Sequence, residues 1–246
     1  MDRLIYSAVS GMNASMAQQR AIASNMANSG TIGFKAELLD ARPVTVEGTS
    51  LEVRAMNRSE VRGASMAQGT VTDTGNPLDV ALTGDTMLAL QGADGSEVYS
   101  RRGDLSVSAS GALQNGDGLV VLGTAGPITV PAGGALSIAR DGTVLMADPA
   151  APEAPVEVGK LKLVSTTGTD IAKGLDGQFR VRGGGTLPED IEAEVIPGSL
   201  EQSNVAASEV LTSMIEAQRL FEIRTNVVST ARDIDESGAR LMRLDA

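Results

Sequence analysis

Asn25 and Asn28 stand one helical turn apart in the stretch "IASNMANSGTIGFKA", residues 22–36, just ahead of Gly33 and Phe34. A carboxamide offers donors and an acceptor together, so such a pair can grip backbone groups but cannot shuttle protons. Asparagine is a mediocre helix former, so two of them near a helix end need a reason. Two readings are open. Asn28 can close the helix as a C-cap in the left-handed conformation, with Asn25 left in solvent. Alternatively, both amides bind backbone groups of neighbouring subunits or of a second helix, with Phe34 as an apolar plug and anchor at the helix end. Catalytic chemistry has little to work with elsewhere. The chain holds no His and no Cys, which removes imidazole bases, Ser-His-Asp triads, thiolates, zinc knuckles and iron–sulfur clusters. The Asp-Gly pairs, as in "NGDG" at 115–118, lack the alternating carboxylates of a calcium loop. No phosphate-binding loop, Gly-x-Ser-x-Gly or Ser-x-x-Lys pattern occurs. No catalytic residue, cofactor or metal ligand is singled out, and paired carboxylates for acid–base work stay open at this point.

The elements around this stretch must come from an unusual composition. The 246 residues are 42% hydrophobic, yet they include no Trp, two Tyr and three Phe. Burial therefore falls to Val, Leu, Ile, Met and Ala, which suit helical seams and thin β-layers. A net charge of -11 argues against a nucleic-acid partner, which would need a basic stripe. No apolar run approaches the roughly 18 residues of a membrane span, so no insertion is expected. The start, "MDRLIYSAVSGMNASMAQQR", lacks the form of a cleavable signal, so any export is expected to be uncleaved.

Residues 3–28 read as a helix. Ile5, Val9, Met12, Met16, Ala23 and Met26 recur at steps of four and three, with Gln19 the polar intruder. Gly11 lies inside the pattern, where it would let a second helix approach closely. Residues 204–243 read as a longer helix, capped by Ser203 or Asn204. Leu220, Val227, Ala231, Ile234, Gly238 and Leu241 form one seam, interrupted by Arg224, and Leu211, Met214, Phe221 and Val228 form another. A helix of ~40 residues extends roughly 60 Å, too long to bury two seams against its own chain. The surplus predicts partners.

Between the helices, residues 76–196 carry short apolar or alternating runs parted by turn signals at about 8–12 residues, the pattern of antiparallel hairpins. Asp148 to Pro155, with three prolines, reads as a loop, and "VRGGGT" at 181–186 as a glycine-rich hairpin tip. The expected class is α+β. Its parts are an N-terminal stalk helix (1–30), an extended linker with room for one hairpin (31–75), a sandwich- or barrel-like β-domain (76–196) and a C-terminal stalk helix (197–246). The terminal helices are expected to pair as an antiparallel coiled coil.

Segments from three regions of the chain carry a resemblance. "NMANSGTIGFKA" resembles the N-terminal signature of the bacterial flagellar axial proteins of rod and hook, and "GSLEQSNVAASEVLTSMIEAQRLFE" their C-terminal signature. "PLDVALTGDTMLAL" and "YSRRGDLSVSASGAL" resemble the β-domain of the rod subclass. The order is right and nearly the whole chain is covered. The start "MDRLIY" and the short length resemble the proximal-rod branch. Ile32 departs from the family's usual proline, which leaves Gly30 and Gly33 to turn the chain. The resemblance implies that the protein is not an enzyme but a structural subunit of the basal-body rod, spanning the periplasm, that transmits torque around a central export channel. It implies as partners copies of itself, proximal-rod neighbours, the distal-rod subunit and the flagellar type III export apparatus. It places the assembly interface at Ile5, Val9, Met12, Met16, Asn25, Met26, Asn28, Gly33, Phe34, Asn204, Met214, Phe221, Val227, Ile234 and Leu241. A distal-rod or hook-type subunit is the alternative within the family. A β-rich carbohydrate-active enzyme with helical ends is the alternative outside it, disfavoured by the scarcity of Trp and Tyr.

Overall fold

The computed structural model describes residues 2–45, 55–131, 133–148 and 151–244. Its class is α+β: helix α1 (Asp2–Ala27) and helix α2 (Ala207–Leu244) bracket an antiparallel β region. The chain forms two compact units. One comprises Met1–Ala27, Glu37–Arg62 and Ala206–Ala246; the other comprises Asn28–Ala36 and Gly63–Val205.

In the second unit the strand Thr86–Gln91 is the hub. It pairs with Glu97–Ser100, with Val120–Gly123 and with Leu163–Ser165, all antiparallel. Its run "TMLALQ" is buried through its first five residues, as expected of a strand covered on both faces. Side chains alternate along a strand, and here the alternation separates two apolar clusters. Leu88 and Leu90 join Val80, Leu113, Val121 and Leu161 in one; Met87 and Ala89 join Tyr99, Val164 and Phe179 in the other.

The sheets extend beyond residues 76–196. Val195–Pro197 pairs with Val80–Leu82, and Ser199–Glu201 pairs with Val71–Asp73. Pro197 ends the first of these strands, and Gly198 is the one-residue link to the second. Gly198 takes φ +69, donates to the Asp79 carbonyl and accepts from Thr74 N–H. Residues 197 and 199–201, expected in the C-terminal stalk, are therefore sheet, and 202–206, in no element, lead from it to α2.

The proline-bearing stretch also differs from its expected loop. Residues 151–160 form a strand (Ala151–Lys160) against Thr143–Asp148. It is the outer strand of a three-stranded sheet, where a proline's missing N–H can face away from the ladder, and the register shifts along the pair absorb its geometry. The "VRGGGT" run is a turn following the strand Phe179–Val181, not the tip between two strands.

In the first unit, α1 and α2 touch through an unexpected pair of faces. On α1, Ser10, Ala14, Ser15 and Ala21 are buried, whereas Val9 (41%) and Met16 (37%) of the expected seam are exposed. Small side chains leave room for long ones from the facing helix. Arg224, expected to interrupt a seam, is half-buried and donates to the Gly11 carbonyl and the Ser15 hydroxyl. Gly11 is not demanded by crowding, since an added Cβ would meet Arg224 at an ordinary 3.6 Å. On α2, Met214, Ala217, Phe221, Arg224, Val228 and Ala231 are buried or half-buried at steps of three and four. Leu211, Ile215, Leu220, Ile223, Val227 and Ile234 are all exposed. The strands Glu37–Thr45 and Ala55–Ala64 pair in this unit.

Candidate functional site

The three signature segments meet at one place in the β unit, beginning with the turn that follows α1. Phe34 N–H donates to the Thr31 carbonyl at 3.3 Å, and Gly33, third in that turn, has φ +67. No other residue type among those described takes a positive φ, so the turn is type II, whose second position favours proline and third favours glycine. Ile32 occupies the proline position. The turn is sealed against the sheet: Gly33 N–H donates to the Glu201 carbonyl at 2.8 Å.

Behind it lies a buried network of charge. Lys35, Arg101 and Glu201 have side chains with no exposed surface. The Lys35 ammonium donates to Glu201 Oε1 at 2.7 Å and to the Ala67 carbonyl at 2.8 Å. Arg101 Nε donates to Glu201 Oε2 at 2.7 Å, and its two terminal nitrogens donate to the carbonyls of Leu82, Gly84 and Thr86. Gly69 N–H also donates to Glu201 Oε1, at 2.7 Å. One carboxylate thus balances two cations drawn from distant segments. Burial pushes the Lys35 ammonium below its usual pKa, with the Glu201 hydrogen bond opposing and the nearby Arg101 charge adding to the fall. Removing one partner of such a buried pair typically costs 3–5 kcal/mol, because the other charge is stranded.

Asn204 completes the junction. Its Oδ1 accepts from Ala36 N–H at 2.8 Å, its Nδ2 donates to the carbonyls of Ser65 and Ala67 at 2.9 Å, and its N–H donates to the Phe34 carbonyl. It is therefore occupied as a staple and does not cap α2, whose first helical bond runs from Val210 to Ala206. Ser203 Oγ instead accepts from Val205 N–H. Phe34 is half-buried rather than a sealed plug. The Lys173 ammonium lies 3.4 Å from its ring centroid and donates to the Lys35 carbonyl.

The two asparagines divide their labour differently from either expectation. Asn25 makes a double hydrogen bond with the backbone of Glu37, accepting from its N–H at 2.8 Å and donating to its carbonyl at 3.1 Å. Its partner is thus the first strand of its own chain. Asn28 is not left-handed; its carbonyl and side-chain oxygen accept from Thr31 N–H and Oγ. Of the other expected interface residues, Met12, Met26, Met214 and Phe221 are half-buried and Val227 and Ile234 are exposed. The side chains of Ile5 and Leu241 lie outside the described residues.

Comparison with known proteins decides what kind of junction this is. The family model described as "Flagella basal body rod protein" matches residues 5–35. "Flagellar hook protein FlgE/F/G D1 domain" matches 81–146, and "Flagellar basal body rod FlgEFG protein C-terminal" matches 196–241. The flagellar basal-body rod protein FlgF of Escherichia coli K12 is 41% identical over 99% of this chain and 98% of its own. The chain belongs to the flagellar basal-body rod protein family. The FlgF of Salmonella typhimurium is 39% identical over 99% of this chain and 98% of that one. The FlgG of Agrobacterium fabrum is 29% identical over 94% and 96%. This rod protein is of the FlgF type, a structural and non-enzymatic component of the flagellar basal body.

Sequence reasoning reached Gly33, Phe34 and Asn204 but passed over Lys35, Arg101 and Glu201. Lys35 is the lone charge of its segment, whereas Arg101 has Arg102 and Asp104 beside it and Glu201 shares its segment with further Glu and Arg residues, so no local signal sets those two apart. Nothing along the chain pairs residues separated by 100 and 166 positions.

Proposed function

We propose that α1 and α2 pair antiparallel as a coiled-coil stalk, and that stalks pack with copies and other rod proteins into a tube that transmits torque around a central export channel. The observation that carries this is the uncovered apolar face of α2: along its 38 residues, Leu220, Ile223, Val227 and Ile234 are 37–55% exposed. A water-exposed seam of this length calls for partners. Val9 and Met16 of α1 supply a second such face. Antiparallel pairing is supported by Arg224 and Gly11, which lie at nearly equal distances from the start of α2 and the end of α1. The partners this reading implies are the distal-rod subunit and the neighbouring proximal-rod subunits, in a rod spanning the periplasm. Delivery is by the flagellar type III apparatus.

The test is Val227→Asp in the full chain. A carboxylate buried unpaired in a packed tube costs several kcal/mol, whereas on the free protein residue 227 is already wet. Basal bodies without a complete rod, together with an unchanged melting temperature of the purified protein, are expected. Normal rods and normal swimming refute the stalk.

A further inference from the structure

The loop Asn28–Ala36 is seated in its unit largely by chain that is made much later. Gly33, Phe34, Lys35 and Ala36 all hydrogen-bond to Glu201 or Asn204. The same two residues hold the stretch 65–69, through Gly69 N–H and the Ser65 and Ala67 carbonyls. Neither apolar cluster draws a residue from 28–36 or from 199–204. The core therefore has its own source of stability, and the loop has another. Glu201 is the anion on which the second source depends. Without its carboxylate, Lys35 and Arg101 face a dry pocket as two like charges, a state that expels one of them. Arg101 has three carbonyl acceptors in its own neighbourhood. Among the described contacts the Lys35 ammonium keeps only the Ala67 carbonyl, so the loop is the part that leaves.

We propose that Glu201 is a completion latch: the loop following α1 stays undocked until Ser199–Glu201 pairs with Val71–Asp73 and delivers the carboxylate, while the rest of the β unit folds without it. The N-terminal signature is thereby held loose until nearly the whole chain is present, and an incomplete chain cannot fix the segment that leaves α1. The pairing is long-range, with Lys35 and Glu201 separated by 166 positions, and loop closure over such a span comes late relative to local hairpins.

Hydrogen exchange read by mass spectrometry on the full-length protein tests this with two variants. In Glu201→Gln, peptides covering 33–36 are expected to exchange about tenfold faster or more, as a locally opening unit does, while the strand amides of Ala89 and Leu113 keep their protection. In Lys35→Met, which leaves Arg101 and Glu201 as a neutral pair, the same loop peptides are expected to stay protected. Loop protection unchanged in Glu201→Gln, loss of loop and core together, or equal opening in Lys35→Met each overturn the latch. Should Glu201→Gln not fold, exchange of the unaltered protein in low denaturant decides. Residues 33–36 and 199–204 opening together before the core supports the latch, and one common opening overturns it.

Discussion

No side chain fits between Gly33 and Arg101: a Cβ on Gly33 would stand 2.5 Å from both the carbonyl carbon and the carbonyl oxygen of Arg101. The obstacle is backbone on a strand end held by four hydrogen bonds from its own guanidinium, so it cannot simply swing away. Gly33→Ala adds this overlap to the cost of about 1–2 kcal/mol for a left-handed backbone. A loss above roughly 2 kcal/mol, or about 5 °C in melting temperature for a protein of this size, is expected by calorimetry.

The neighbouring position should behave in the opposite way. Ile32 sits second in the type II turn, where proline's fixed φ is already satisfied. No hydrogen bond from its N–H occurs among the described backbone contacts. Ile32→Pro should be neutral or stabilising by about 0.4–1 kcal/mol through the unfolded chain. A fall in the denaturant midpoint would mean that the turn uses the N–H.

Asn204 offers a test of donor against acceptor. Asn204→Ala removes its bonds to Ala36, Ser65 and Ala67, at a cost of about 2–3 kcal/mol for partly buried groups. Asn204→Asp keeps the shape but turns a carboxylate oxygen toward two carbonyls. The aspartate variant should melt no higher than the alanine variant at neutral pH, and lower if repulsion dominates over packing.

Phe34→Ala should cost less than a core phenylalanine. The ring is half-buried, so about 1–2 kcal/mol of area is at stake, plus about 0.5–1 kcal/mol for the Lys173 ammonium above it. A double-mutant cycle with Lys173→Met measures the second part directly, and additivity of the two single losses would remove it.

Alkaline stability should report on Tyr99. Its hydroxyl accepts from Leu187 N–H at 2.6 Å and donates to Glu97 at 2.9 Å; burial pushes its pKa up to about 12. The neutral phenol is the form the fold favours, so its contribution is complete below pH 10 and is lost as pH rises from 10 through 12. Lys35 has the other sign: its lowered pKa means that stability is gained as pH rises toward 10.5. Denaturation curves from pH 8 to 12 should therefore fall more steeply in Lys35→Met than in the unaltered protein, and less steeply in Tyr99→Phe.

How far the sequence could be read depended on whether a signal was local. The hub strand Thr86–Gln91 and the paired turns are visible because alternation and glycine placement act within a few residues. Which face of α1 is covered was not. Methionine and valine look like a seam, yet the facing Arg224 selects the side of Ser15 and Gly11, and that selection belongs to a residue 209 positions away. The edge strand Ala151–Lys160 was hidden for a related reason, since prolines report a missing donor and only the sheet's order shows that none is needed there. The Lys35–Glu201–Arg101 network combines both difficulties, being charged where burial is expected to be apolar and assembled from three remote segments.

The prolines on that outer strand carry one more consequence. A sheet edge with an unbroken row of free N–H and carbonyl groups recruits any other edge it meets and seeds aggregates. Pro152 and Pro155 remove two donors from the strand Ala151–Lys160, so a neighbouring copy finds no continuous ladder to extend. A subunit that assembles with other flagellar rod and hook proteins can thus bring its sheets close to theirs without fusing, and association is left to side chains that can be matched or mismatched.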